Sequence, residues 1–166
     1  MKTPPPSAVL AYIGLGSNLG DRLHFLQQAV HQLAALPQTQ LLGVSSLYQS
    51  TAAEGATGSG DFLNAVVELS TQLNAYALLA ALQTIELAAG RKRPHIHAPR
   101  TLDLDILLYG CESIADTPRL IVPHPRLWER DFALLPLAEL RAELNPHQHC
   151  NNTTAHNCQI VQKNWL

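Results

Sequence analysis

Asp103 and Asp105 stand two residues apart inside the run Leu102-Asp103-Leu104-Asp105-Ile106-Leu107-Leu108. An apolar run of this kind reads as a buried strand. Residues i and i+2 of a strand face the same way, about 6–7 Å apart. The two carboxylates therefore emerge side by side, while Leu102, Leu104 and Ile106 fill the opposite face. Two like charges buried together are costly unless a cation lies between them. A hard divalent metal, which prefers carboxylate oxygens, is the simplest such cation. Arg100 lies just upstream, beyond the basic stretch Arg91-Lys92-Arg93. Carboxylates, a metal and guanidinium groups in one place point to chemistry on phosphates.

The rest of the composition sharpens that reading. The chain has 166 residues, enough for one domain with a core. Charged residues make up only 14% against 46% apolar, which excludes a disordered chain. Net charge is −2, so no global field recruits nucleic acid. The cations are clustered instead, at Arg91, Lys92, Arg93 and Arg100, then at Arg119, Arg126 and Arg130. Such clusters in a slightly acidic protein fit a small anionic ligand better than a polymer. Arg126 and Lys92 read as solvated charges. The three cysteines Cys111, Cys150 and Cys158 form no disulfide framework. With no signal peptide and no long apolar span, a cytoplasmic protein with reduced thiols is expected. No membrane partner is expected either.

Several elements must position the aspartates. Ala8–Gly14 reads as a buried strand, and Gly14-Leu15-Gly16-Ser17-Asn18-Leu19-Gly20 as a turn. Its GxGxxxG spacing is not a dinucleotide fingerprint. Asp21 is a suitable N-cap for a helix burying Leu23, Leu26, Val30 and Leu33 and stopped by Pro37. Leu41–Ser50 reads as a second strand and Thr51–Gly60 as a loop. Phe62–Thr71 alternates, with Leu63, Ala65, Val67 and Leu69 on one face and Phe62, Asn64, Val66 and Glu68 on the other. Asn74 caps a second helix to Ala89, with Gly90 at its stop. The order is strand, helix, strand, strand, helix, strand. The expected fold is α+β, a ferredoxin-like βαββαβ core with helices packed on an antiparallel sheet. A C-terminal extension follows, with a rigid turn at Val122-Pro123-His124-Pro125 and a helical stretch over Phe132–Leu144. The expected domain spans residues 8–144, between a loose N-terminus, 1–7, and a polar tail, 145–166, to which the pattern assigns no element.

The motifs Ala11-Tyr12-Ile13-Gly14-Leu15-Gly16-Ser17-Asn18-Leu19-Gly20, Phe62-Leu63-Asn64, Ile85-Glu86, Gly90-Arg91-Lys92-Arg93, Pro99–Asp105, Val122-Pro123-His124 and Arg130-Asp131-Phe132 occur in this order. In these the chain resembles the 6-hydroxymethyl-7,8-dihydropterin pyrophosphokinase family of folate biosynthesis, from about Ala8 to Leu144. The resemblance implies transfer of the diphosphate of ATP to the pterin hydroxymethyl group, with release of AMP. It implies two Mg²⁺ ions, about 4 Å apart, bridged by Asp103 and Asp105, with small-molecule partners only and a monomeric enzyme. Arg91, Arg93, Arg100, Arg119 and Arg130 fall where the family has triphosphate-binding or loop-organising arginines. His124 matches a phosphate-side histidine. Gln83, Glu86 and Ile106 match positions near the nucleotide, although Glu86 read alone is a helix-surface acid. Asn64 matches the amide that reads the pterin edge, and Phe62 and Phe132 the aromatics that sandwich its ring. Ser50, Thr51, Ala52 and Ala53 would offer backbone hydrogen bonds to that ring.

The chain departs from the family at the lid. Many members carry Arg-Trp-Gly before Pro-Arg, and here the triplet is Ile96-His97-Ala98. One cation and one aromatic are missing from a loop that resembles a closing lid, so slower turnover is expected. Ser50-Thr51-Ala52 replaces the usual Thr-Pro-Pro, which loosens the pterin loop. Two alternatives stand beside the enzyme. One is an ATP- and pterin-binding homologue with impaired turnover. The other is a zinc hydrolase using His95 and His97 with the aspartates. His147, His149, Cys150, His156 and Cys158 also have the residue types of a structural zinc site, within a stretch that reads as a loose tail.

Overall fold

The computed structural model describes residues 7–51, 60–90, 100–144 and 158–166. Its central sheet has the strand order β5-β1-β4-β3-β8, all pairs antiparallel, with β2 also pairing with β4. The strands are β1 (Val9–Ser17), β2 (Thr39–Val44), β3 (Leu47–Ser50), β4 (Phe62–Thr71), β5 (Asp103–Tyr109) and β8 (Gln159–Gln162), and β6 (Ile114–Asp116) pairs with β7 (Leu120–Val122) as a separate hairpin. The helices are α1 (Arg22–Ala34), α2 (Ala75–Ala88) and α3 (Asp131–Leu140). Counted with β2 and β3 as one strand, the first four strands lie fourth, first, third, second. That is the split βαβ order expected from the sequence.

The helix starts are set locally. Asp21 accepts from the His24 amide at 3.1 Å, and Asn74 from the Ala77 amide at 2.8 Å. Gly90 follows α2 at φ +78°, a conformation that glycine adopts without strain. α1 and α2 cover one face of the sheet. Leu26, Val30 and Leu33 from α1 and Leu78, Leu82 and Ile85 from α2 pack on Ile13, Leu15, Val67, Leu69, Leu104 and Ile106. α3 lies on the other face, where Ala133 and Leu137 meet Tyr12, Val66, Leu107 and Leu108. α3 covers only part of that face, and the uncovered part is where the sheet becomes a site.

Three differences from the sequence reading matter. First, Gly14 and Gly16 do not belong to a turn. β1 continues to Ser17, because β4 and β5 pair with it on both sides through Gly16. Leu15 is buried in the core, and the two glycines face the other way. Second, the single strand expected over Leu41–Ser50 is divided. At the break the Ser45 amide donates to the Val66 carbonyl at 2.9 Å, and the Ser45 hydroxyl accepts from the Val66 amide at 2.9 Å. A side chain thus stands in for a backbone acceptor of the ladder. Third, β8 lies near the C-terminus, where the residue pattern assigns no element. The helix expected over Phe132–Leu144 closes earlier, at Leu140, with Pro136 inside it.

Candidate functional site

β1 is flanked by β4 and β5, and its register decides what comes together. Gly16 lies opposite Asp103 on one side and Asn64 on the other; Gly14 lies opposite Asp105 and Val66. Tyr48 of β3 lies opposite Asn64 and Ile160 of β8 opposite Tyr48. One row therefore crosses the whole sheet as Asp103, Gly16, Asn64, Tyr48, Ile160. Directly opposed residues point to the same face. The glycines leave a floor between the carboxylates and the amide. A Cβ on Gly16 would stand 3.4 Å from Asn64 Oδ1 and 3.6 Å from Phe62 Cδ1.

The pocket above this floor brings together Gly14, Gly16, Asn18, Ser50, Thr51, Phe62, Asn64, Arg100, Asp103, Asp105, His124, Arg130 and Phe132. Arg100 donates to Asp103 Oδ2 at 2.5 Å. Asn64 Nδ2 donates to the Ser50 hydroxyl at 2.8 Å, both residues buried. Phe132 lies in the first turn of α3, and the Arg130 guanidinium lies 5.5 Å from its ring centroid. The His124 amide donates to the Leu107 carbonyl at 3.0 Å, which fastens the turn after β7 to β5.

The electrostatics are those of a cation site. Asp105 keeps some surface open to the pocket but is packed deep among protein atoms. Burial first, then Asp103, then Glu86 push its carboxyl up to about 7, against the opposing pull of Arg130 and Arg100. Asp105 thus resists ionising beside its carboxylate neighbours until more positive charge arrives. Burial first, and then Arg130, lower the His124 imidazole below its ordinary value, so it is neutral at pH 7. Among the described residues no group of three or more His, Cys, Asp or Glu side chains gathers for a metal. Two carboxylates with room for phosphate and water oxygens is the donor set that Mg²⁺ takes. Asp103 and Asp105 therefore fit Mg²⁺.

Four expected site residues lie away from this pocket. Gln83 is on the exposed face of α2. Glu86 is buried, and its Oε1 accepts from the Leu104 amide of β5 at 2.8 Å. Ile106 is in the core under the sheet. Arg119 stacks over the Tyr76 ring at 4.5 Å, between β6 and β7. Arg91, Arg93, Ala52 and Ala53 lie outside the described residues. So do the triplet Ile96-His97-Ala98 and, apart from Cys158, both histidine clusters.

Asn18 is the residue that the sequence reading passed over. Its Oδ1 accepts from the Arg100 amide at 2.7 Å, and its own amide donates to the Arg100 carbonyl at 3.0 Å. The two bonds pin the backbone of Arg100 to the end of β1. Only its place directly after the glycines and Ser17 marks it in the sequence.

A partly apolar pocket beside paired carboxylates on the open face of an α+β sheet is suited to the transfer of phosphate groups. The sequence profile described as 7,8-dihydro-6-hydroxymethylpterin-pyrophosphokinase (HPPK) matches residues 12–142. The chain is 51% identical over 134 residues to the 2-amino-4-hydroxy-6-hydroxymethyldihydropteridine pyrophosphokinase of Bacillus subtilis, covering 79% of this chain and 77% of that one. To the Pseudomonas aeruginosa enzyme of the same name it is 47% identical, covering 80% and 81%. Among solved structures, a crystal structure of HPPK-DHPS in complex with substrates superposes with a TM-score of 0.62 at 12% identity, covering 84% of this chain and 41% of that one. A Plasmodium falciparum HPPK-DHPS triple mutant gives 0.65 at 15% identity, covering 91% and 43%. These two share the fold, and this chain spans less than half their length. The chain belongs to the 7,8-dihydro-6-hydroxymethylpterin-pyrophosphokinase family, and is a pyrophosphokinase of folate biosynthesis.

Proposed function

We propose that this site moves the β,γ-diphosphate of ATP to the hydroxymethyl oxygen of 6-hydroxymethyl-7,8-dihydropterin. The pterin oxygen bonds to the β-phosphorus, the bond from that phosphorus to the α–β bridging oxygen breaks, and AMP leaves. The hydroxyl proton is lost to solvent. The observation that carries this reading is the row across the sheet, with the Asp103 carboxylate at one end and the Asn64 amide facing it across Gly16.

Each side chain has a separate task. Asn64 offers both donor and acceptor to the edge of a heterocycle. Its bond to Ser50 takes one amide hydrogen and leaves the rest of the group to the ligand. Phe62 and Phe132 stack on the flat ring. Asp103 and Asp105 hold Mg²⁺, which when bound supplies charge neutralisation and alignment of phosphate oxygens. Arg100 and Arg130 direct guanidinium donors at those oxygens, and neutral His124 adds one N–H. No nucleophilic side chain is needed, since positioning and charge carry most of such a transfer. A cytoplasmic, monomeric enzyme goes with this reading. Among the described residues no helix is long and apolar enough to cross a membrane.

The test is AMP release from ATP in Mg²⁺ buffer after zinc removal, with and without the pterin. Pterin-dependent AMP is the expected result, lost in Asp105→Ala and nearly lost in Asp103→Ala. Full activity in either variant would refute the carboxylate role. The triplet Ile96-His97-Ala98 favours a second reading, a homologue that binds both ligands and turns over poorly. Saturable binding of both ligands with no AMP would establish it. A gain in turnover in the double variant Ile96→Arg, His97→Trp would trace the deficit to the lid. Activity that needs zinc would instead return the hydrolase reading.

A further inference from the structure

The pterin side of the pocket is built on β3, a strand of four residues. Alone, β3 would be a short edge strand, the least secure place in a sheet. β8 covers it, with Gln159 opposite Gln49, Ile160 opposite Tyr48 and Gln162 opposite Leu47. The residues of β8 are themselves exposed, so little apolar burial holds the strand in place. Trp165 supplies the missing anchor. It is 3% exposed and belongs to the main core. Its indole N–H donates to the Ser45 carbonyl at 2.9 Å, and its own carbonyl accepts from Gln27 Nε2 of α1 at 2.6 Å.

The place of that anchor matters. Ser45 is where β2 and β3 part, so Trp165 fixes the start of β3. Ser50 ends β3 and holds the Asn64 amide. The last residues of the chain thus brace a wall of a site that they do not enter.

We propose that Trp165 is a positioning residue for the pterin half of the reaction: through β8 and Ser45 it holds β3 in the register that lets Ser50 orient the Asn64 amide. The proposal rests on the assignment of Asn64 to the pterin edge. It differs from a merely structural role in its selectivity. The ATP half of the pocket is built on β1, β5 and the turn after β7, none of which Trp165 bonds.

The experiment is steady-state kinetics on the full chain carrying Trp165→Ala, Trp165→Phe, Gln27→Ala or Asn64→Ala, with KM measured for pterin and for ATP separately. Trp165→Ala is expected to raise the pterin KM roughly 5- to 30-fold, the loss of one or two such interactions, with the ATP KM within about two-fold. Trp165→Phe keeps an aromatic ring in the core but loses the indole donor and some buried volume, so it should recover part of the effect. If Trp165→Ala does not fold, Trp165→Phe and Gln27→Ala carry the comparison. An equal rise in both KM values, or a lower Tm with both unchanged, overturns the proposal. A pterin KM that rises in Asn64→Ala but not in the Trp165 and Gln27 variants overturns it too. A pterin KM unmoved in Asn64→Ala overturns instead the assignment beneath it.

Discussion

Asp105 is an expensive residue in the metal-free protein. In an unfolded chain an aspartate titrates near 4, whereas burial, Asp103 and Glu86 raise this one to about 7. Between those values the native state keeps a proton that the unfolded chain has released. Metal-free stability therefore falls as pH rises through that window. Asp105→Asn should raise the Tm of the metal-free protein at pH 8, by roughly 2–4 °C for each kcal/mol relieved. The same substitution should change little at pH 4 and abolish turnover at both. Thermal scans with a chelator present check this, and an unchanged or lower Tm at pH 8 would mean that the site tolerates both charges. The site residues most legible in the sequence were of this kind. Asp103, Asp105 and Asn64 announce themselves by placing polar groups in apolar or alternating strands. Glu86, which read alone is a surface acid, is instead buried and accepts from the Leu104 backbone amide on β5, a donor that no side-chain pattern records.

At the scale of elements, legibility followed the range of the interaction. Asp21 and Asn74 cap helices through bonds to residues three along the chain, and both were evident from residue type. β4 was evident from its alternating faces. The Gly14–Gly20 stretch misleads because its local preference for a turn is overridden by pairing with β4 and β5, which lie far along the chain. The break at Ser45 and the existence of β8 depend on partners just as distant. The Asn18 clamp belongs to this scale, because it joins the end of β1 to the residues before β5. Asn18→Ala removes the acceptor for the Arg100 amide. Its kcat should fall roughly ten-fold, consistent with about 1–1.5 kcal/mol for the lost bond. Asn18→Asp keeps an acceptor oxygen and should recover most of the rate. Equal rates in both variants would show that Arg100 holds its place without the clamp.

For the molecule as a whole, the two faces of the sheet have different duties. One is sealed by α1 and α2 over a continuous core, and the other is shared between α3 and the pocket. Gly14 and Gly16, the floor of the site, lie on β1, which has neighbours on both sides, whereas β8 closes the sheet at its rim. Local opening frees rims before centres. The amides of Leu15 and Gly16 should exchange with deuterium only through global unfolding, while those of Ile160 and Val161 exchange orders of magnitude sooner; protection of the same degree in both places would contradict this. The consequence concerns how the enzyme fails. Its reaction floor cannot melt by itself, but the β8 rim that braces the pterin wall can, so heat should weaken pterin binding before it erases the fold. A survivor of partial damage would be a molecule with β8 frayed and the β1–β4 centre intact, its floor in place and its pterin wall loose.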